Sequence, residues 1–233
     1  MAQKKLQRFA EIKTFTNVLE YPQDVQGKWH SFFKNNHTIV LELACGRGEY
    51  TIGLARLHKA TNYIGVDVKG NRLWLGAAIA LREKLENAAF LRTQIELIST
   101  YFVPGEVKEI WITFPDPQLR VSKQKKRLTH PRFLRWYQQI VAPDGCIHLK
   151  TDSPALYAFT KQVITLYQLP LLEDNENVYG TDNIAPELSI KTHYEKLDIA
   201  QSNRIFYLRF GINKDLSADK EEELKQWEYE KAL

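Results

Sequence analysis

The chain has 233 residues, 44% of them hydrophobic and 26% charged, which describes an ordinary soluble protein with core enough for one large domain or two small ones. No apolar run reaches membrane-spanning length, and the opening Met1-Ala2-Gln3-Lys4-Lys5 has no apolar stretch behind it, so neither a membrane span nor a signal peptide is expected. The net charge is +4, yet residues 118–135 alone carry seven Lys and Arg and no acid; the rest sums to −3, and a polyanionic partner is expected at that one place.

Residues 1–37 are aromatic and basic, with Tyr21-Pro22 as a breaker. Phe9, Phe15, Trp29, Phe32 and Phe33 suggest an arm packing on the body, part of which could equally be a flap. From Thr38 an apolar run leads into Glu42, then Gly46 and Gly48, then an amphipathic segment to Leu57: a buried strand, a tight turn and a helix start. A second strand, 62–66, ends in Asp67 and precedes a helix over 71–85. A third strand, 88–91, is followed by Arg92-Thr93-Gln94, and a fourth, 107–114, by Pro115-Asp116-Pro117. Pro131 opens a helix through residue 141, residues 145–149 form a fifth strand, and Ser153-Pro154 begins another helix. Late strands are expected at 169–172 and 205–210, separated by a polar excursion, 173–203, with a helical pattern around 187–200. Residues 213–233 are charged and read as a surface helix touching the body through Trp227. Strands alternating with helices at this spacing imply an α/β, doubly wound parallel sheet, here over residues 38–212.

In such a sheet, ligands sit beyond the carboxyl ends of the strands. Gly46 and Gly48 allow a sharp turn and close approach of a ligand. The third glycine of a dinucleotide fingerprint is absent, because Thr51 stands there, and Glu42 would repel a pyrophosphate but attract a cation. Asp67, at the tip of the second strand, is placed to accept ribose hydroxyls. Asp116, stiffened by a proline on each side, is poised toward a substrate, against the plain alternative of a Pro-Asp-Pro turn. The basic segment is expected to contact phosphates, or else to be a solvated face or a localisation signal. Cys45 and Cys146 read as free buried thiols in a reducing, cytoplasmic setting, and the six histidines show no metal-ligand spacing, so no metal is expected.

These residues give the chain a clear likeness. Val40-Leu41-Glu42-Leu43-Ala44-Cys45-Gly46-Arg47-Gly48, Tyr63-Ile64-Gly65-Val66-Asp67, Phe114-Pro115-Asp116-Pro117, Lys125-Lys126-Arg127-Leu128, His148-Leu149-Lys150-Thr151-Asp152 and Thr192-His193-Tyr194-Glu195 together resemble the bacterial tRNA (guanine-N7)-methyltransferases, from about Phe9 to Phe210. The resemblance implies a Rossmann-like methyltransferase sheet, mostly parallel with an antiparallel late strand, and helices on both faces. It implies S-adenosylmethionine as cofactor, tRNA as partner, and a monomer or homodimer. Glu42, Asp67, Gln94 and Asp116 match the family's cofactor contacts, with Gly46 and Gly48 in the cofactor turn; Asp116 also matches its catalytic acid. Asp152, Thr192 and Glu195 match its tRNA or guanine contacts, and Arg120 falls where the family has a substrate-binding Lys. Gln118 replaces a usual Trp, Arg120-Val121-Ser122-Lys123 replaces a usual Lys-Lys-Arg-His run, and Ala44 replaces a usual turn glycine. A methyltransferase of this fold acting on another RNA base or on a protein side chain, or a non-catalytic RNA-binding protein on the same scaffold, are the alternatives.

Overall fold

A computed structural model describes residues 2–180, 182–197 and 204–231, with side chains from Leu6 onward. Chain order is α1 (Ala2–Glu11), β1 (Val18–Glu20), α2 (Trp29–Phe33), β2 (Thr38–Leu43), α3 (Glu49–Leu57), β3 (Thr61–Asp67), α4 (Gly70–Arg82) and β4 (Ala88–Arg92), then β5 (Val107–Thr113), α5 (Pro131–Gln138), β6 (Val141–Thr151), α6 (Pro154–Leu166), β7 (Leu171–Asn175), β8 (Phe206–Gly211) and α7 (Glu221–Lys231). Among the described residues the strands form one eight-stranded sheet in the order β1-β4-β3-β2-β5-β6-β8-β7. Only β8 runs against its neighbours, so the mostly parallel sheet with one antiparallel late strand is as expected.

Side chains alternate across the sheet, and the two faces carry separate cores. Ile39, Leu41, Leu43, Ile110, Ile112, Ile147 and Leu149 pack on one side with α2, α5 and α6. Val40, Tyr63, Phe90 and Trp111 pack on the other with α3 and α4. The helix starts follow local chemistry: the Ser153 hydroxyl accepts from Leu156 N ahead of Pro154, and His130 Nδ1 accepts from Arg132 N ahead of Pro131.

The register sets the site. Leu43 pairs with Val66 and with Ile112, Asp67 with Arg92, and Thr113 with Lys150. The carboxyl ends of β2 to β6 therefore finish level along one rim. The connection reverses direction between β2 and β5, which is where an open sheet leaves a crevice.

The first 37 residues do more than pack as an arm. β1 joins the sheet edge in parallel with β4, and Trp29 is fully buried, stacked on Phe102 with ring centroids 5.2 Å apart. A three-residue strand carries too little periodicity to stand out in sequence. The helical pattern expected over 187–200 is also not observed: the chain runs through turns, with a 3-10 turn at Glu195–Leu197, and residues 198–203 lie outside the described residues. Polar side chains spaced for a helix here serve contacts to the sheet instead, as shown below.

Candidate active site

After Leu43 the chain turns through Ala44, Cys45, Gly46, Arg47 and Gly48 into α3. Ala44, Gly46 and Gly48 all have left-handed φ angles, of 54°, 58° and 72°. A Cβ on Gly48 would stand 2.5 Å from the Phe90 ring, so that position requires glycine. Gly46 is buried, but a Cβ there would meet only the Tyr194 ring, at 3.9 Å, so the backbone is covered on that side by a side chain of the excursion alone. Asp67 clasps this turn: one carboxylate oxygen accepts Gly46 N at 3.0 Å and the other Lys69 N at 2.8 Å.

Glu42 sits beneath the turn, 3% exposed. Its Oε2 accepts from Thr51 N at 2.7 Å and Thr51 Oγ1 at 2.6 Å, and its Oε1 from Thr113 Oγ1 at 3.0 Å. Burial pushes its carboxyl up to about 7, against the lowering effect of those three donors. Thr51, which breaks the dinucleotide fingerprint, is thus the residue that satisfies Glu42. The carboxylate acts through the start of α3 and lies behind the open rim.

Further along the rim, Gln94 is exposed after β4. Asp116 is exposed after β5, in a loop where Phe114 and Gln118 both have φ near +48°. The Asp116 carboxylate accepts from Gln118 N at 3.0 Å, and Phe114 N donates to Lys150 O at 2.8 Å, which ties the loop to the end of β6. Arg120 is exposed on the same loop, and Asp152 is half-buried after β6.

Lys150 is the residue that sequence reasoning passed over, although it stands inside one of the family-like motifs. Its side chain is wholly buried, and the three N–H groups of Nζ are shared among four acceptors: Leu188 O at 2.8 Å, Ile190 O at 3.0 Å, Tyr179 OH at 3.1 Å and Glu195 Oε2 at 3.1 Å. Burial pulls its ammonium down to about 8 despite the Glu195 charge. The Tyr179 hydroxyl donates to the other Glu195 oxygen. Glu195 is therefore neither a surface residue beside Lys191 and Lys196 nor an open guanine reader in this state; it is the anchor of the excursion. Thr192 is buried and accepts Glu195 N at 3.1 Å, capping the short turn. The same segment packs onto the glycine turn through Tyr194 and onto α3 through Ile190, whose side chain fills the space over Gly53. A lysine within an apolar strand run was the available signal, because a buried charge must find partners.

The basic segment is less free than its sequence suggests. Arg127 is buried, and its Nη2 lies 2.5 Å from Glu228 Oε1 on α7. Glu221, also on α7, takes Arg135 at 2.5 Å and Lys125 at 3.2 Å. Arg120, Lys123, Lys126 and Arg132 remain exposed. The expected phosphate face is thus narrower than seven cations, since acids 86 to 101 residues away neutralise part of it.

One group among the described residues could hold a metal ion: Glu109, Cys146 and His148, with ligand atoms within 4.8 Å of one another. Each already has a partner. His148 Nε2 lies 3.3 Å from both Cys146 Sγ and Glu109 Oε2, and Nδ1 lies 2.8 Å from Tyr207 OH. The Arg209 guanidinium also acts on both Cys146 and His148, which disfavours a cation there.

Residues 36–208 match a family model described as "Putative methyltransferase". A tRNA (guanine-N(7)-)-methyltransferase of Bacteroides thetaiotaomicron is 46% identical over 221 residues, covering 91% of this chain and 87% of the relative. One from Christiangramia forsetii is 43% identical over 221 residues, covering 91% and 99%. Among solved structures, an antibiotic related methyltransferase superposes with a TM-score of 0.60 at 14% identity, covering 84% of this chain and 96% of that one. A 30S ribosomal A1408 methyltransferase from an uncultured bacterium gives 0.57 at 16% identity, covering 79% and 92%. At such identities these two structures speak for the fold alone.

Proposed function

The chain belongs to the tRNA (guanine-N7)-methyltransferase family, and from that premise we propose that it transfers the methyl group of S-adenosylmethionine to N7 of a guanine in the variable loop of tRNA. It is an enzyme of tRNA modification. The observation that carries the reading is the rim itself: a glycine turn clasped by Asp67 stands level with Asp116 at the end of β5, next to the exposed cations of one loop. At Gly46 the Tyr194 side chain is the single group within 4 Å of where a Cβ would stand, and the absent Cβ leaves the close approach that a cofactor laid across the turn would need, so the residues present fit the group.

S-adenosylmethionine supplies a methyl carbon made electrophilic by the sulfonium. The chain's own residues do the rest. Gly46 would admit the cofactor to the backbone, Gly48 would let the turn close against Phe90, Asp67 would hold the ribose with the lone pairs not taken by the turn, and Gln94 and Asp116 would complete the contacts. Glu42 adds negative charge from beneath. Guanine N7 carries an in-plane lone pair and attacks directly, so no residue has to remove a proton. Transfer would form the N7–C bond as the sulfonium gives up its methyl carbon, leaving positive charge on the purine. Asp116 meets that charge from a fixed position. Arg120 and Asp152 would face the nucleotide, Thr192 would reach it only as the excursion shifts, and Glu195 holds the segment that carries Thr192. The free thiols Cys45 and Cys146 support a reducing, cytoplasmic setting.

Methyl transfer to an unmodified tRNA transcript, with the modified base mapped, tests the reading. N7-methylguanosine in the variable loop is expected. A methyl group on another base would assign the chain a different substrate on the same fold, and S-adenosylmethionine binding without any transfer would favour a non-catalytic RNA-binding role.

A further inference from the structure

The Asp116 loop has few bonds of its own: Gln118 N to the Asp116 carboxylate, and Phe114 N to Lys150 O. Pro115 and Pro117 have no N–H to donate, and Phe114 and Gln118 occupy left-handed conformations that cost a non-glycine residue free energy. Something else must fix the peptide planes on which the Asp116 carboxylate depends.

Arg127 meets that need. Its Nε donates to Pro117 O at 3.0 Å and its Nη2 to Gln118 O at 2.9 Å. Pro117 O and Gln118 N belong to one peptide group. The N–H of that group is the one that donates to Asp116 Oδ1 at 3.0 Å. A guanidinium on the oxygen side thus fixes the peptide plane and polarises the N–H on the carboxylate side. Arg127 is in turn held from two directions. Its guanidinium carbon lies 4.4 Å from the centre of the Phe159 ring of α6, and Glu228 of α7 takes Nη2 at 2.5 Å. The side chain of Arg127 is 1% exposed and that of Glu228 is 12% exposed. The bidentate span over two carbonyls plus a carboxylate needs the planar fork of arginine; the point charge of lysine cannot supply it. α7 is kept in place independently of this pair by Leu224, fully buried in the core, and by Glu221 with Arg135 and Lys125.

We infer that Arg127 and Glu228 are positioning residues for the methyl transfer: α7, through Glu228 and Arg127, orients the Pro117–Gln118 peptide that presents the Asp116 carboxylate to the reacting base. This rests on Asp116 being the catalytic carboxylate, as proposed above. It takes Arg127 out of the phosphate-binding set and makes the last helix part of the reaction apparatus.

The test is a double-mutant cycle between Glu228→Gln and Asp116→Asn, read as the single-turnover rate of methyl transfer to a tRNA transcript at saturating S-adenosylmethionine. In the wild-type background Glu228→Gln should slow transfer about tenfold. The cofactor dissociation constant, measured by calorimetry, should change much less than the rate, because the glycine turn, Asp67 and Gln94 still hold the cofactor and only the Asp116 contact is loosened. In the Asp116→Asn background the same change should have no further effect. Arg127→Lys should behave as Glu228→Gln does, because it keeps the charge and loses the fork; should it fail to fold, the Glu228 cycle stands by itself. Equal losses in both Asp116 backgrounds, or a wild-type rate for Glu228→Gln, overturn the relay and leave Asp116 in its role. A wild-type rate for Asp116→Asn overturns the catalytic reading itself, which is a separate result.

Discussion

The glycine turn and the substrate flank are held by different means. In the turn, carboxylates grip backbone donors close in sequence: Asp67 holds Gly46 across 21 residues, and Glu42 holds Thr51 across nine. In the flank, side-chain ions reach across the chain: Lys150 holds Glu195 across 45 residues, and Arg127 holds Glu228 across 101. Apart from the Thr113 hydroxyl on β5, the first arrangement lies within the consecutive β2, α3 and β3 and forms as those neighbours pack. The second exists only once distant segments have docked, and each buried ion left alone would be costly. The turn should therefore tolerate loss of one grip, whereas the flank should fail as a unit.

Lys150→Ala is the most severe way to break that contrast. It leaves the Glu195 carboxylate buried without its cation and removes the donor to Leu188 O and Ile190 O. We expect a loss of about 3–5 kcal/mol in unfolding free energy by urea titration. A loss near that of an exposed lysine would mean that the excursion is held by its apolar contacts alone. Asp67→Ala should cost less, about 1–3 kcal/mol, and in cofactor affinity as well as in the turn, because ribose hydroxyls and Gly46 N lose their acceptor. Calorimetry that finds unchanged cofactor affinity would remove Asp67 from the cofactor site.

The basic segment sharpens the comparison from inside the flank. Neutralising Lys123 and Lys126, both exposed, should weaken tRNA binding and flatten its dependence on salt by about two units of logarithmic slope. Neutralising Lys125, already paired with Glu221, should change the slope less than either. Equal slopes for all three would show that α7 gives Lys125 up when tRNA binds.

How much of this was legible in the sequence follows the same division. The β2–α3 turn, Asp67 and the Pro-Asp-Pro loop could be read because each is a short run whose meaning depends on near neighbours. The level ends of β2 to β6 followed from the doubly wound pattern. β1 was not legible, since three residues carry no period, and its place beside β4 comes from long-range pairing. Nor were the partners of Arg127, Lys150 and Glu195, because a charge in sequence does not reveal whether its counter-ion is a phosphate or an acid far along the chain. The run of basic residues was the clearest instance: composition counted seven cations, whereas packing pairs Lys125, Arg127 and Arg135 with acids of α7 and leaves Arg120, Lys123, Lys126 and Arg132 exposed.

Glu42 offers a test of the turn by pH. Its folded carboxyl titrates near 7, above the ordinary 4.5, because burial disfavours the charge. Between those values the folded chain keeps a proton that the unfolded chain releases. The stability this group contributes is thus complete below about 4.5 and is lost as pH rises through about 7. Glu42→Gln should flatten that part of the stability profile. A cation bound above the turn favours the ionised form, so cofactor affinity in the wild type should rise over the same interval. A pH-independent affinity would mean that the Glu42 charge does not reach the cofactor.

The smallest effect isolates the backbone of the turn. Ala44 adopts φ of 54°, where a Cβ crowds the following carbonyl and glycine does not. Glycine at this position also enlarges the conformational freedom of the unfolded chain, which works against the gain. The left-handed penalty, about 1–2 kcal/mol, exceeds the entropic term of about 0.4–1 kcal/mol, so Ala44→Gly should stabilise the protein by roughly 0.5–1 kcal/mol. For a chain of this length that corresponds to a rise of about 1–4 °C in the unfolding midpoint. Removing the methyl group also widens the approach to the turn, so cofactor affinity should hold or increase. If instead Ala44→Gly lowers the midpoint, the β2–α3 turn is held firmly enough by Asp67 and Glu42 that the local conformational cost at Ala44 is already absorbed, and the turn, like the flank, depends on its ionic grips more than on its backbone.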